Sequence, residues 1–237
     1  MIIRVKFGKE GALRFIGHLD VLRTFQKIFR RAGIPMAFSQ GFSPHPVMSF
    51  ALPLGLGLSS EGEYLDAEIV LSSPGQSPEE SAEGPFPACE LLPRLRAATS
   101  ADLPVYAVRI LPEGSGNAMA SVGRASYRLA IRPEWEEMLR CGAERLMARE
   151  SIPIEKETKT RTVEMDLRPC LYRIQVQRDA LFLEIAAGSK ANVKPERVWE
   201  ELIRAAEGPE DAVPSTIRRL DLMQEDGTSL GAAGEEA

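Results

Sequence analysis

Histidine and cysteine are scarce in this sequence, with two and three copies among 237 residues. Cys89, Cys141 and Cys170 are widely separated and odd in number, and no C-x-x-C occurs, so zinc-ribbon and thiol redox motifs are absent. The C-x-x-x-C-x-x-C spacing that would carry a radical-generating iron–sulfur cluster is missing too. The three thiols are therefore expected to be small buried apolar residues. Long apolar runs are also lacking. The opening stretch MIIRVKFGKEG has no signal-peptide core, and no segment approaches a membrane span, so the expectation is a cytoplasmic protein without a membrane partner. There is no Ser/His/Asp triad, Walker loop or H-E-x-x-H. Residues 53–62, PLGLGLSSEG, superficially resemble a Gly-rich phosphate loop. They fail that fingerprint, because Ser60 stands where a third glycine belongs and the next segment reads as strand. No cofactor or metal is expected.

What remains is an ordinary globular composition, 44% hydrophobic and 27% charged, in a chain long enough for one large domain or two small ones. The charge is unevenly spread. Residues 1–50 carry eight Lys/Arg against two acids, a net +6 inside a chain of −5. Residues 51–100 hold two basic and eight acidic side chains, and residues 201–237 hold three and nine. Residues 72–87, rich in Pro, Ser, Gly and Glu, read as a long acidic loop. The tail from Glu225, EDGTSLGAAGEEA, offers too little apolar surface to fold and is expected to fray.

Periodicity supplies the elements. Ile3, Val5 and Phe7 alternate with Arg4 and Lys6 as a half-buried strand, and a short extended piece is expected at 13–16. Residues 18–32 read as a helix, with Leu22, Phe25, Phe29 and Ala32 on one face, Asp20 in the first turn and Arg30 and Arg31 in the last. Gly33 and Pro35 stop it. Strands at 47–52 and 63–71, a helix at 88–98 weakened by Pro93, and a strand at 104–111 complete a β-α-β-β-α-β order. The order then recurs: a strand at 126–132, a helix at 134–147, charged extended pieces at 152–157 and 162–165, a hairpin of 171–177 with 181–187, a helix opened by Pro195 and closed by Gly208, and a strand at 216–222. The expected fold class is α+β. It comprises two tandem ferredoxin-like (βαββαβ) halves, at residues 1–111 and 124–222, the second with an extra strand or hairpin. A frayed acidic tail follows at 223–237. The join falls in the turn-rich stretch 112–123.

Arg23, Lys27 and Arg30 or Arg31 recur at three- or four-residue steps opposite the apolar helix face. Such a row suits a phosphate backbone, because each neutralised phosphate releases a counterion. It is equally the pattern of a solvated helix face in which Asp20 contacts Arg23 or Thr24. Arg14 and Lys6 lie nearby in sequence and favour binding. In the loop that follows, Gly41 permits close backbone approach, Pro44 and Pro46 stiffen the chain around His45, and Phe42 can stack on a base while Ser39 or Gln40 reads its edge. The alternative is a tight connector whose Phe42 plugs the core. His18 and His45 could bind a metal with Asp20, or act as general acid and base in RNA cleavage. More simply, His18 is a first-turn residue bonded to loop backbone. Residues 156–161, KETKTR, read either as an RNA-contacting hairpin or as a solvated edge strand.

Taken together, LRFIGHLDVLRTFQKIFRRAGIPMAFSQGFSPHP followed by SFALPLGLGLSSEGEYLDAEI resembles an uncharacterised bacterial family. Its members are encoded beside, or fused to the C-terminus of, radical S-adenosylmethionine proteins. The segment KTRTVEMDLRP at 159–169 resembles it too. Within the resemblance the corresponding block is Arg14, His18, Leu19, Asp20, Arg23, Arg30, Arg31, Gly33, Ser39, Gly41, Phe42, Pro44, His45 and Pro46. It implies a radical S-adenosylmethionine partner and no particular reaction. The leading expectation is a non-catalytic RNA-binding or substrate-presenting accessory protein. The alternatives are a metal-independent ribonuclease or RNA-modifying enzyme using His18 and His45, and a protein-interaction adaptor that binds no nucleic acid.

Overall fold

Alternation along strand β1 (Ile2–Lys9) decides how the first part of the molecule is layered. Ile3, Val5 and Phe7 are buried on one face, and Arg4 and Lys6 occupy the other. The computed structural model describes residues 1–70, 87–157 and 162–237. It is a mixed α/β chain with antiparallel strand pairing and five α-helices among those residues. It divides into two compact units, residues 1–122 with 228–237, and residues 123–227.

In unit 1, helix α1 (His18–Arg31) lays Val21, Phe25, Ile28 and Phe29 on the apolar face of β1. The Phe7 and Phe25 rings meet edge to face, centroids 4.7 Å apart. Each such fully buried side chain contributes about 1.5–3 kcal/mol, so this contact surface holds the helix far more firmly than propensity does. Ala32, Gly33 and Ile34 close the helix. Gly33 adopts φ +66°, its N–H bonds to Arg30 O, and Ile34 N–H bonds back to Phe29 O. This is the left-handed stop for which glycine is suited. Strands β2 (Met48–Phe50) and β3 (Ser59–Glu68), helix α2 (Leu91–Ala98) and strand β4 (Val105–Ile110) follow. The strands lie in the order β4-β1-β3-β2, each antiparallel to its neighbour. The extended piece expected at 13–16 is instead a 3₁₀ turn, Gly11–Phe15. Asp102 fixes it by accepting from Ala12 N–H, and Glu10 N–H bonds Asp102 O; both contacts span about ninety residues of chain and leave no local signal. A short helix, α3 (Ala118–Ser121), capped by Asn117, occupies the stretch expected to be a join. The acidic loop at 72–87 lies, save for Pro87, outside the described residues.

Unit 2 opens with β5 (Arg124–Ala130) and α4 (Glu136–Met147), then a hairpin of β6 (Pro153–Glu157) and β7 (Thr162–Asp166). Strands β8 (Leu171–Gln177) and β9 (Ala180–Ala186), helix α5 (Pro195–Ala206) and strand β10 (Thr216–Met223) complete it. The strand order is β10-β5-β9-β8, again antiparallel. Asp166 ties the foot of the β6–β7 hairpin to its surroundings. Its carboxylate accepts from Ile152 N–H and Arg168 N–H, and those two bonds hold it below the ordinary aspartate range. The side chains of the KETKTR run lie outside the described residues. The end of α5 corrects an expectation. Glu207, not Gly208, takes the left-handed conformation (φ +54°), and Gly208 N–H bonds to Ile203 O. Gly208 serves packing instead, since a Cβ there would meet Met138 Sδ at 3.0 Å.

Residues 228–237 rejoin unit 1 rather than fraying. Leu230 is fully buried, and β11 (Glu235–Glu236) pairs with β4. Arg4 also donates to the Leu230 carbonyl, and Ala237 N–H bonds to Val108 O, ties that the acidic composition does not reveal. The cysteines are a second correction. Cys89 and Cys141 are exposed and Cys170 is partly so. Cys141 lies off the α4 face that buries Leu139, Gly142, Ala143 and Leu146.

Candidate nucleic-acid interface

The outward face of α1 is cationic because its inward face is fully spent on the core. Arg23, Lys27, Arg30 and Arg31 are all exposed. Arg23 donates to Asp20 Oδ1 at 3.1 Å, and Thr24 Oγ1 donates to the Asp20 carbonyl at 2.7 Å. Both local contacts expected of a solvated face are therefore present at the helix start. An exposed pair of that kind contributes about 0.2–1 kcal/mol, too little to withhold Arg23 from a phosphate. Lys27, Arg30 and Arg31 make no side-chain hydrogen bond or ion pair among the described residues. Among the described residues, the last turn thus carries positive charge with no ion-pair partner, at the end where the helix dipole is negative.

Gly33 turns the chain away from α1, and residues 34–38 run along the edge of the sheet. Val70 N–H bonds to Pro35 O, Ala37 N–H to Glu68 O, and Val47 N–H to Ala37 O. The segment 39–46 then stands out as a loop pinned at its neck. Ser39 N–H donates to His45 O at 2.9 Å, His45 N–H donates to Ser39 Oγ at 3.1 Å, and Ser39 Oγ lies 2.9 Å from His45 Nδ1. Gly41 adopts φ +137°, with nothing within 4 Å of where a Cβ would be, so backbone conformation and not crowding requires glycine there. Gln40 is exposed, and Phe42 is completely so at 111% of its reference area. A connector whose Phe42 plugs the core is thus ruled out. The neck bonds are satisfied by Ser39 and His45, which leaves the ring no role inside the protein.

The other sequence-derived residues are placed apart from this loop. Arg14 belongs to the 3₁₀ turn. Its guanidinium carbon lies 4.7 Å from the Phe15 ring centroid and its carbonyl accepts from Gly57 N–H. His18 begins α1 and lies edge-on to Phe50 with centroids 5.0 Å apart. It makes no hydrogen bond among the described residues, so the expected bond to loop backbone is absent. It borders a small recess with Lys9 and Glu63, both almost wholly buried. His18 thus packs beside Phe50, the last residue of β2, whereas His45 is held in the neck of the loop that precedes β2. Among the described residues no three His, Cys, Asp or Glu side chains gather as a metal site, and no helix is long and apolar enough to cross a membrane.

Lys6, read from sequence as an aid to the α1 cations, belongs instead to a second cationic group. Arg4 and Lys6, with Arg109 of β4, share the face of the unit 1 sheet opposite α1. The available signal was that the outward positions of β1 are both basic.

Comparison with solved structures finds a crystal structure of a Cbf5–Nop10–Gar1 complex, at 13% identity and a TM-score of 0.45. The match covers 94% of this chain and 50% of that one, so the chain spans about half the length of the structure it matches. No curated protein matches the sequence. Residues 3–195, which take in α1, the loop and most of both units, match the profile of a family described as an uncharacterized protein conserved in bacteria (DUF2344), and the chain belongs to that family.

Proposed function

We propose that this protein is a non-catalytic RNA-binding subunit that engages single-stranded RNA with α1 and the loop at 39–46. The observation that carries the reading is Phe42, a whole aromatic ring in solvent on the Gly/Pro loop beyond α1, a helix whose Lys27, Arg30 and Arg31 make no side-chain hydrogen bond or ion pair among the described residues. Aromatic stacking and phosphate neutralisation are the two terms that bind single strands, and they are here within one stretch of chain. In this reading each unit is a ferredoxin-like half, with strand orders β4-β1-β3-β2 and β10-β5-β9-β8 and the β6–β7 hairpin as the extra piece of the second. The partner is the radical S-adenosylmethionine protein that the sequence resemblance implies, the setting is cytoplasmic, and the bound RNA is what this subunit presents.

The test is binding of a short, labelled, mixed-sequence single-stranded RNA. The triple change Arg23→Ala, Arg30→Ala and Arg31→Ala is expected to weaken affinity at least tenfold. It should also reduce the salt slope by about 2, at ~0.7 per phosphate contact. Phe42→Ala is expected to cost about 1–3 kcal/mol. Unchanged affinity and slope in the arginine variant would remove the assignment. RNA cleavage that His18→Ala or His45→Ala abolishes without loss of binding would transfer it to a nuclease.

A further inference from the structure

The geometry points to a binding site for a small phosphate-bearing anion on the sheet face of unit 1 opposite α1, built by Arg4, Lys6 and Arg109 around a cavity of about 310 Å³. The site lies on the other side of the sheet from the proposed RNA-binding helix and does not depend on that reading.

Strand register creates it. Arg4 of β1 stands directly opposite Arg109 of β4, and Lys6 lies two residues along on the same face. Like charges directly across a ladder destabilise it, so this arrangement needs anions. Each of the two arginines has one among the described residues. Asp66, paired in register with Arg4, accepts from Arg4 Nε at 2.7 Å and from Nη2 at 2.9 Å. Glu236 Oε1 lies 3.0 Å from Arg109 Nη2. Asp66 is buried and committed, because it also accepts from Ala118 N–H at 2.7 Å. Glu236 is 80% exposed and is therefore a weak, displaceable partner. Three cations border the cavity and none of its lining residues is acidic.

Donors remain for a ligand. Arg109 Nη2 is freed when Glu236 is displaced, and its Nε, enclosed by protein, has no hydrogen-bond partner among the described residues. Arg4 spends four of its five N–H groups on Asp66, Gly116 O and Leu230 O, which leaves one on Nη1. Tyr64 and Ser229, bonded through their hydroxyls at 3.1 Å, form the polar wall beside them. The volume lies at the lower end of the ~300–1,000 Å³ span of small-molecule pockets. That suits a phosphate monoester or free phosphate, which the charge-assisted guanidinium contacts recognise equally.

Calorimetric titration and thermal unfolding of the full chain with inorganic phosphate, 5′-AMP and adenosine separate the outcomes. Phosphate or 5′-AMP is expected to bind and to raise the midpoint, the stronger of the two marking the source as free anion or ester, while adenosine does neither. Arg109→Gln and Lys6→Gln should each weaken binding about tenfold, the cost of one charge-assisted contact. Glu236→Gln, which removes the competing carboxylate, should tighten it about threefold by the same conversion. Because that variant gains affinity, misfolding cannot imitate it. The inference is overturned if the wild type binds neither phosphate species at millimolar concentration, if adenosine acts like 5′-AMP, or if Glu236→Gln weakens binding.

Discussion

Arg4 and Asp66 form a buried ion pair in unit 1, with side chains 3% and 7% exposed. Their two parallel bonds, together with the Ala118 N–H and the Leu230 carbonyl, connect β1, β3, α3 and the returning segment 228–237. Removing one partner leaves the other charged in a place without water, so Asp66→Ala should cost about 3–5 kcal/mol in urea unfolding. The double change Arg4→Met with Asp66→Leu should cost much less, since nothing ionic is then stranded. Equal losses in the two proteins would show that the pair is not what holds these elements together. Neither role was legible in the sequence. Arg4 read as the polar half of an alternating strand and Asp66 lay unremarked within the strand expected at 63–71; only register makes them neighbours. The cysteines were misread, and Phe42 was left between two readings, for the related reason that composition says what a side chain prefers, not which surface is left for it.

Elements with strong periodicity were legible. Helix α1 falls at 18–31 against an expected 18–32, and β4, β8 and β9 lie within a residue or two of their expected positions. Those segments bury one face, and the spacing of apolar residues is sufficient to specify it. Elements fixed by less regular signals were not: the 3₁₀ turn at Gly11–Phe15 depends on distant Asp102, and the α5 stop rests on a left-handed Glu207 where glycine was expected. At the candidate interface, the helix cations could be read ahead of the structure, but the full exposure of Phe42 and the separation of His18 from His45 could not. Helix packing in unit 2 also sets two opposing terms against each other at Gly142. A Cβ there would stand 2.6 Å from Ala206 Cβ and 3.0 Å from its backbone Cα and N. Gly142→Ala gains roughly 1 kcal/mol in helix propensity but must push α4 from α5, at about 1–3 kcal/mol. Because the obstacle is backbone, the second term should prevail, and the variant should unfold at lower urea concentration. A rise in midpoint would mean that the two helices separate without cost.

At the scale of the whole molecule, unit 1 is discontinuous in sequence, with residues 228–237 supplying Leu230, the Ser229 hydroxyl and β11. Deleting them should lower hydrogen-exchange protection in β1 and β4 and expose the Arg4 guanidinium. Unaltered protection in those strands would reduce the segment to decoration. Residues 123–227 interrupt unit 1, so a ribosome has delivered every strand of unit 2 before Leu230 exists. During synthesis the first unit must wait, with β1, β3 and β4 already outside and their last partner unmade. That interval is when a nascent chain of this design is most open to mispairing, and when a companion protein would do it most good.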